Sequence, residues 1–169
     1  MKRLHFTLVI LLLLYGVQAS AQDFPVPDNY VLKTADDYAK YEPDVIKTID
    51  WLQQTPWTED PGKRRVANTF LIAWDTGSPN VSISIGNGIG KMIDKNKDLL
   101  IAFMGAYTKY ALQHKTDFDK DAATVYSLRA VIEKYNKEPT RVEDSALEKV
   151  IKIDKKGKLE EWVKTDFNK

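Results

Sequence analysis

The chain contains no cysteine. Disulfides, zinc–thiolate centres, iron–sulfur clusters and cysteine nucleophiles are thereby excluded, as is a lipoprotein anchor built on an acylated cysteine. Histidine is almost as scarce, with two in the chain, His5 and His114, so no multi-histidine metal site can form after the N-terminal leader. There is no excess of charge of one sign: the formal net charge is +1 at pH 7, and Lys2 and Arg3 fall within the leader. A nucleic-acid or anionic-membrane footprint needs a positive excess on one face, and neither partner is expected. Beyond the leader no run approaches the ~20 apolar residues that span a bilayer. Glycine and proline are few, 8 and 7 in all, so each one punctuates the chain.

What is present begins with a three-part leader. Met1-Lys2-Arg3 is basic, Phe6 to Tyr15 is almost wholly apolar, and Ala19-Ser20-Ala21 has the small-x-small form of a cleavage site. This order reads as a secretory signal peptide, and its apolar run of ~10–12 residues is too short for a membrane anchor. The expected organisation is a signal peptide over 1–21, an extended lead-in with Pro25 and Pro27 over 22–33, and one helical domain over 34–169. The exported protein should be periplasmic or secreted, with no membrane insertion after cleavage.

From Thr34 onward the 3.6-residue period dominates. Thr34-Ala35-Asp36-Asp37 carries an N-cap with an acidic residue three places on. Pro43 interrupts, which predicts a short helix near 34–41 and a longer one from 43 to 54. Asp60-Pro61 opens a helix to 75 whose stripe is Val66, Phe70 and Ala73/Trp74, with Gly77 as left-handed cap and Pro79 as stop. Further helices are predicted over 98–114, 119–136 and 141–155, with a short last one around Leu159, Trp162 and Val163. Phe70, Leu100, Phe103, Val125, Leu128, Ile132, Leu147 and Val150 are the expected core. Val81-Ser82-Ile83-Ser84-Ile85 alternates with period two, but a lone strand needs a sheet. It is an extended segment near 81–85 or the start of a short helix, and Gly86, Gly88 and Gly90 make its exit a connector. The class is all-α, an irregular bundle of six or seven helices.

Several motifs tempt a chemical reading. Asp75-Thr76-Gly77-Ser78, between apolar residues, resembles the active-site signature of aspartic proteases. That chemistry needs two aspartates sharing a proton on a β scaffold. Here there is one such motif, preceded by a helical stripe, so the similarity is judged coincidental and Asp75 is read as a helix-end residue. Asp94-x-Asn96-x-Asp98 and Asp117-x-Asp119-x-Asp121 begin like calcium loops but lack the later Gly and Glu, and read as polar turns with N-caps. Gly86-Asn87-Gly88-Ile89-Gly90 lacks the spacing of a dinucleotide fingerprint. His114 sits near a helix C-terminus, where it would cap. No catalytic residue, metal or cofactor is expected.

As a whole, the leader together with Tyr41-Glu42-Pro43-Asp44-Val45, Thr76-Gly77-Ser78-Pro79 and Phe103-Met104-Gly105 resembles small exported all-α proteins of unknown function from Gram-negative bacteria. The resemblance implies export and a helical fold and brings no activity. The expected function is a non-catalytic helical interaction module for an unknown protein or peptide partner. The candidate contacts are Ser82, Ser84 and Asn87 in the irregular segment and Trp57 in its loop. The alternatives are a small-ligand binder between helices and a cell-wall or peptide hydrolase with an unrecognised carboxylate site. The deepest cleft discriminates among them: facing carboxylates favour the hydrolase, an apolar cavity the ligand binder, and a broad apolar patch a partner.

Overall fold

The computed structural model describes residues 24–83 and 85–167. The expected signal peptide over 1–21 and Ser84 lie outside the described residues. The chain is all-α, and its described residues form seven helices and no strand. These are α1 (Ala35–Gln54), α2 (Pro61–Gly77), α3 (Asn87–Ile93), α4 (Leu99–Gln113), α5 (Lys120–Lys137), α6 (Ser145–Lys155) and α7 (Leu159–Thr165).

The first helix starts where the capping box predicts. Asp37 N–H donates to Thr34 Oγ1 at 3.3 Å, and Asp37 Oδ2 accepts from Thr34 N–H at 2.9 Å. The expected break at Pro43 does not occur, and the two helices predicted on either side of it are one. Proline inside a helix costs about 3 kcal/mol through a lost hydrogen bond and a clash. Against that stands an unbroken buried stripe of Tyr41, Val45, Thr48 and Leu52. Its members recur every three or four residues and would be split by a bend.

In α2 the buried face is rotated by one position from the expected stripe. Val66 is 45% exposed, and the face is formed by Arg64, Ala67, Phe70, Leu71 and Trp74. The periodicity is ambiguous because the true face opens with an arginine, which no apolar pattern marks. The same one-step shift occurs in α4, where Leu99 is fully buried and Leu100 only half-buried. The other expected core residues are buried.

Gly77 is also not a left-handed cap. It is the last helical residue of α2, and Ser78 ends the helix in extended conformation. Its missing side chain is needed for a close approach, since a Cβ there would lie 1.8 Å from the Tyr38 hydroxyl of α1. Asp60, the expected cap of α2, has a left-handed backbone (φ 45°) and makes no capping hydrogen bond, although Pro61 takes the first helical position as expected. The segment after α2 is irregular at 81–83 and 85, and it does not lead into a connector: Gly88 and Gly90 lie inside α3. Ile89 and Met92 are the reason, because both are buried on one side of that short helix. Gly88 lets α3 sit against the chain's end, where a Cβ would meet the Phe167 carbonyl at 2.0 Å.

The bundle has two cores that meet at α4. Phe103 and Tyr107 of α4 join α3, α5, α6 and α7 in the larger one. Ala111 and Leu112, at the other end of α4, join α1, α2 and the lead-in. The lead-in is held by its aromatics, with Phe24 edge-on to Trp51 at 5.4 Å and Tyr30 on Phe70 at 4.7 Å. The most extensive helix pairs are α4 with α5 and α1 with α2. Phe70 lies on the rotated face and Val66 off it, so truncation separates the two stripes. Phe70→Ala should cost about 3–5 kcal/mol in denaturant unfolding, and Val66→Ala about 0.5 kcal/mol or less.

Candidate functional site

A cleft of about 570 Å³ opens between α1, α4 and α5. That volume suits a small ligand. Its floor is apolar, formed by Ile49 and Leu52 of α1, Leu71 of α2, and Ile101, Ala102 and Ala106 of α4. Its end wall is the α1–α2 connection, which carries Trp57, and the side chain of Arg64. Lys109, Arg129 and Lys137 stand around the mouth.

The end wall is built on buried charge. The last carbonyls of a helix have no partners within it, and α1 has no basic residue in its final turn. Two cations from other helices meet them. Lys134 Nζ of α5 donates to the Gln53 carbonyl at 3.3 Å and the Thr55 carbonyl at 2.6 Å. Arg64 Nη2 of α2 donates to the Thr55 carbonyl and, at 2.9 Å, to that of Pro56. Glu138, which follows α5, completes the knot. One carboxylate oxygen pairs with Lys134 at 2.7 Å, and the other accepts from the Trp57 N–H at 3.1 Å. Lys134 and Glu138 side chains are 3% and 2% exposed. Burial lowers the pKa of both Lys134 and Arg64, and the Glu138 carboxylate opposes that shift in each.

The cleft's other charges are matched on its rim. Lys109 pairs with Asp50 at 2.5 Å, and Lys137 with Glu133 at 2.6 Å. Arg129 reaches away to Asp154 at 3.2 Å and Glu160 at 2.7 Å. Arg64 differs. Among the described residues it forms no ion pair, and its Nε is buried without a hydrogen-bond partner.

Of the residues singled out from the sequence, Trp57 lines this cleft. Ser82 and Asn87 are not among its lining residues: Ser82 is exposed and Asn87 opens α3. Ser84 is outside the described residues. Val81 is buried and Ile83 packs against both cores, so that side of the alternating segment covers the interior. Asn96, from the apparent calcium loop, is buried and clamps residue 142. Its amide donates to the Val142 carbonyl and accepts from the Val142 N–H, each at 2.8 Å. Asp119 caps α5 through the Ala122 N–H at 2.8 Å. His114 follows α4, stacks on Tyr110 at 4.1 Å between centroids and lies 3.3 Å from Asp117.

Asp75 sits in the last turn of α2, outside the cleft. Thr108 Oγ1 donates to its Oδ1 at 2.7 Å, while its Oδ2 is buried without a partner. Desolvation raises its pKa to about 7, against the opposing pull of the Thr108 hydrogen bond. Sequence reasoning misses Arg64, Lys134 and Glu138. Their one trace is Lys134 and Glu138 at helical i,i+4 spacing, which ordinarily marks an exposed pair.

Two outcomes follow from these charges. A double-mutant cycle should give a coupling of about 2–3 kcal/mol for buried Lys134–Glu138. The exposed Glu133–Lys137 pair on the same helix should give about 0.3–0.5 kcal/mol. For Asp75 the folded pKa of about 7 lies above the ordinary 3.8. Its stabilising contribution is therefore complete below the unfolded value and falls as pH rises towards 7. Asp75→Asn should gain on the wild type by about 1.4 kcal/mol per pH unit across that window. Parallel urea titrations at pH 4.5, 6 and 8 read this difference. No family model, curated protein or solved structure matches the chain, so its function has to be read from the cleft's own geometry.

Proposed function

We propose that the protein is an exported, non-catalytic binding module that holds a small ligand with an apolar body in the cleft between α1, α4 and α5. The observation that carries this is the cleft itself: an apolar floor of ligand size, closed at one end by a rigid polar wall. Such an arrangement, with a few fixed polar groups among apolar ones, is how small-molecule sites are commonly built.

A hydrolase is less well supported. Of the cleft's lining carboxylates, Asp50 and Glu133 are each neutralised by a lysine and Asp98 is exposed. General acid–base work needs a pair whose environments drive their pKa values apart. His114 and Asp75 lie outside the cleft. A protein or peptide partner on the 78–86 segment stays the second reading, favoured by Ile85 at 53% exposure in the same segment as exposed Ser82. Export is supported by the leader, and a soluble carrier or sensor outside the cytoplasm would suit both.

The test is binding of octyl-chain ligands, 1-octanol and octanoate, followed by calorimetry and by intrinsic tryptophan fluorescence, to which Trp57 in the cleft contributes. A ligand of this size should bind with Kd on the order of 0.1–1 mM. Ala102→Trp, which fills the floor, should abolish binding while leaving circular dichroism unchanged. Failure of both ligands to bind the wild type would overturn the proposal.

A further inference from the structure

The buried end wall of the cleft is electrically unbalanced. Arg64 and Lys134 bring two positive charges, and Glu138 returns one negative. Lys134 spends its three donors on Glu138 and the carbonyls of Gln53 and Thr55. Arg64 is 9% exposed: its Nη2 donates to the Thr55 and Pro56 carbonyls, its guanidinium lies 5.8 Å from the centre of the Trp51 ring, and its Nε–H is left without an acceptor. A buried charge is costly unless paired, and a buried donor unless bonded. The lining carboxylates do not meet this need. Asp50 and Glu133 are committed to Lys109 and Lys137, and Asp98 in the cleft and Glu59 outside it act on Arg64 only through more distant charge.

We propose that the ligand is a monoanionic carboxylate with an apolar body, its carboxylate set against the Arg64 guanidinium at the end wall and its body lying on the α1–α4 floor. This rests on the cleft being the ligand site. One feature favours one negative charge over two: the buried knot of Arg64, Lys134 and Glu138 is short of a single charge. Guanidinium suits the role because it keeps its charge when buried and holds carboxylates directionally. The loop carbonyls fix its plane in advance, so little ordering is left for the ligand to impose.

Calorimetry at pH 7.5 with octanoate, 1-octanol and octyl phosphate tests the proposal on the purified full chain. Octanoate should bind at least tenfold more tightly than either of the others. In Arg64→Gln, which removes the guanidinium charge, octanoate should fall to the octanol value. Equal affinity for octanoate and octanol, or tighter binding of octyl phosphate, would overturn the anion assignment while leaving the cleft as a ligand site. No binding of any of the three would instead remove the cleft itself. Should Arg64→Gln fail to fold, wild-type protein with octanoate labelled with ¹³C at the carboxyl carbon replaces it. The bound carboxyl should titrate below the free acid. Titration at or above the free value means the carboxyl lies away from the guanidinium and contradicts the proposal.

Discussion

The C-terminal end of α1 is the point on which the rest of this molecule depends. Its last carbonyls face inward with no cation of their own helix to meet them. The fold answers by bringing Arg64 from α2 and Lys134 from α5 to one place, with Glu138 behind them. Three helices and the connection between two of them are thereby tied at a single buried point. Such a knot is weak as a source of net stability, because desolvation cancels most of the attraction. Its effect is positional. It fixes the path of residues 53–57 and so stands Trp57 and Arg64 at the end of the cleft.

The same constraint explains why the cleft exists. α1 and α5 approach each other through long polar side chains, Gln53 donating to the Ala130 carbonyl at 2.9 Å and Lys134 reaching back to Thr55. Apolar side chains would have packed these helices closer. On the α4 side the floor carries the small side chains of Ala102 and Ala106, while Gly105 lets α4 pack directly against Ile49 and Leu71. A charge knot holding two helices apart over a floor of small residues yields a cavity that is apolar below and cationic at one end.

Much of this fold was legible from periodicity. The capping box at Thr34, the acidic cap at Asp119 and the stripes of α5 and α6 stand where the pattern placed them. Errors arose wherever a local signal met a stronger tertiary one. Pro43 suggested a break that the packed face of α1 overrode, and the glycines at 88 and 90 suggested a connector where Ile89 and Met92 bury a helical turn. The apolar pattern gives α2 the wrong phase because its buried face begins with Arg64. The cleft itself was not legible. Its decisive residues are charged, and in sequence Lys134 and Glu138 look like the solvated pair that Glu133 and Lys137 really are. Only long-range proximity, some 80 positions from Thr55 and Trp57 to the end of α5, distinguishes the two.

Hydrogen exchange at the Trp57 amide tests the knot most directly. That N–H belongs to a connecting loop, yet its acceptor is the buried Glu138 carboxylate at 3.1 Å. A loop amide open to water exchanges through local fluctuation, whereas a core amide exchanges only with global opening. Here the Trp57 amide should exchange as slowly as those of buried Val131 and Tyr135 in α5 and speed up by orders of magnitude in Glu138→Ala. Fast exchange in the wild type, at the rate of the exposed residue Thr58, would mean the knot does not hold the cleft's end wall.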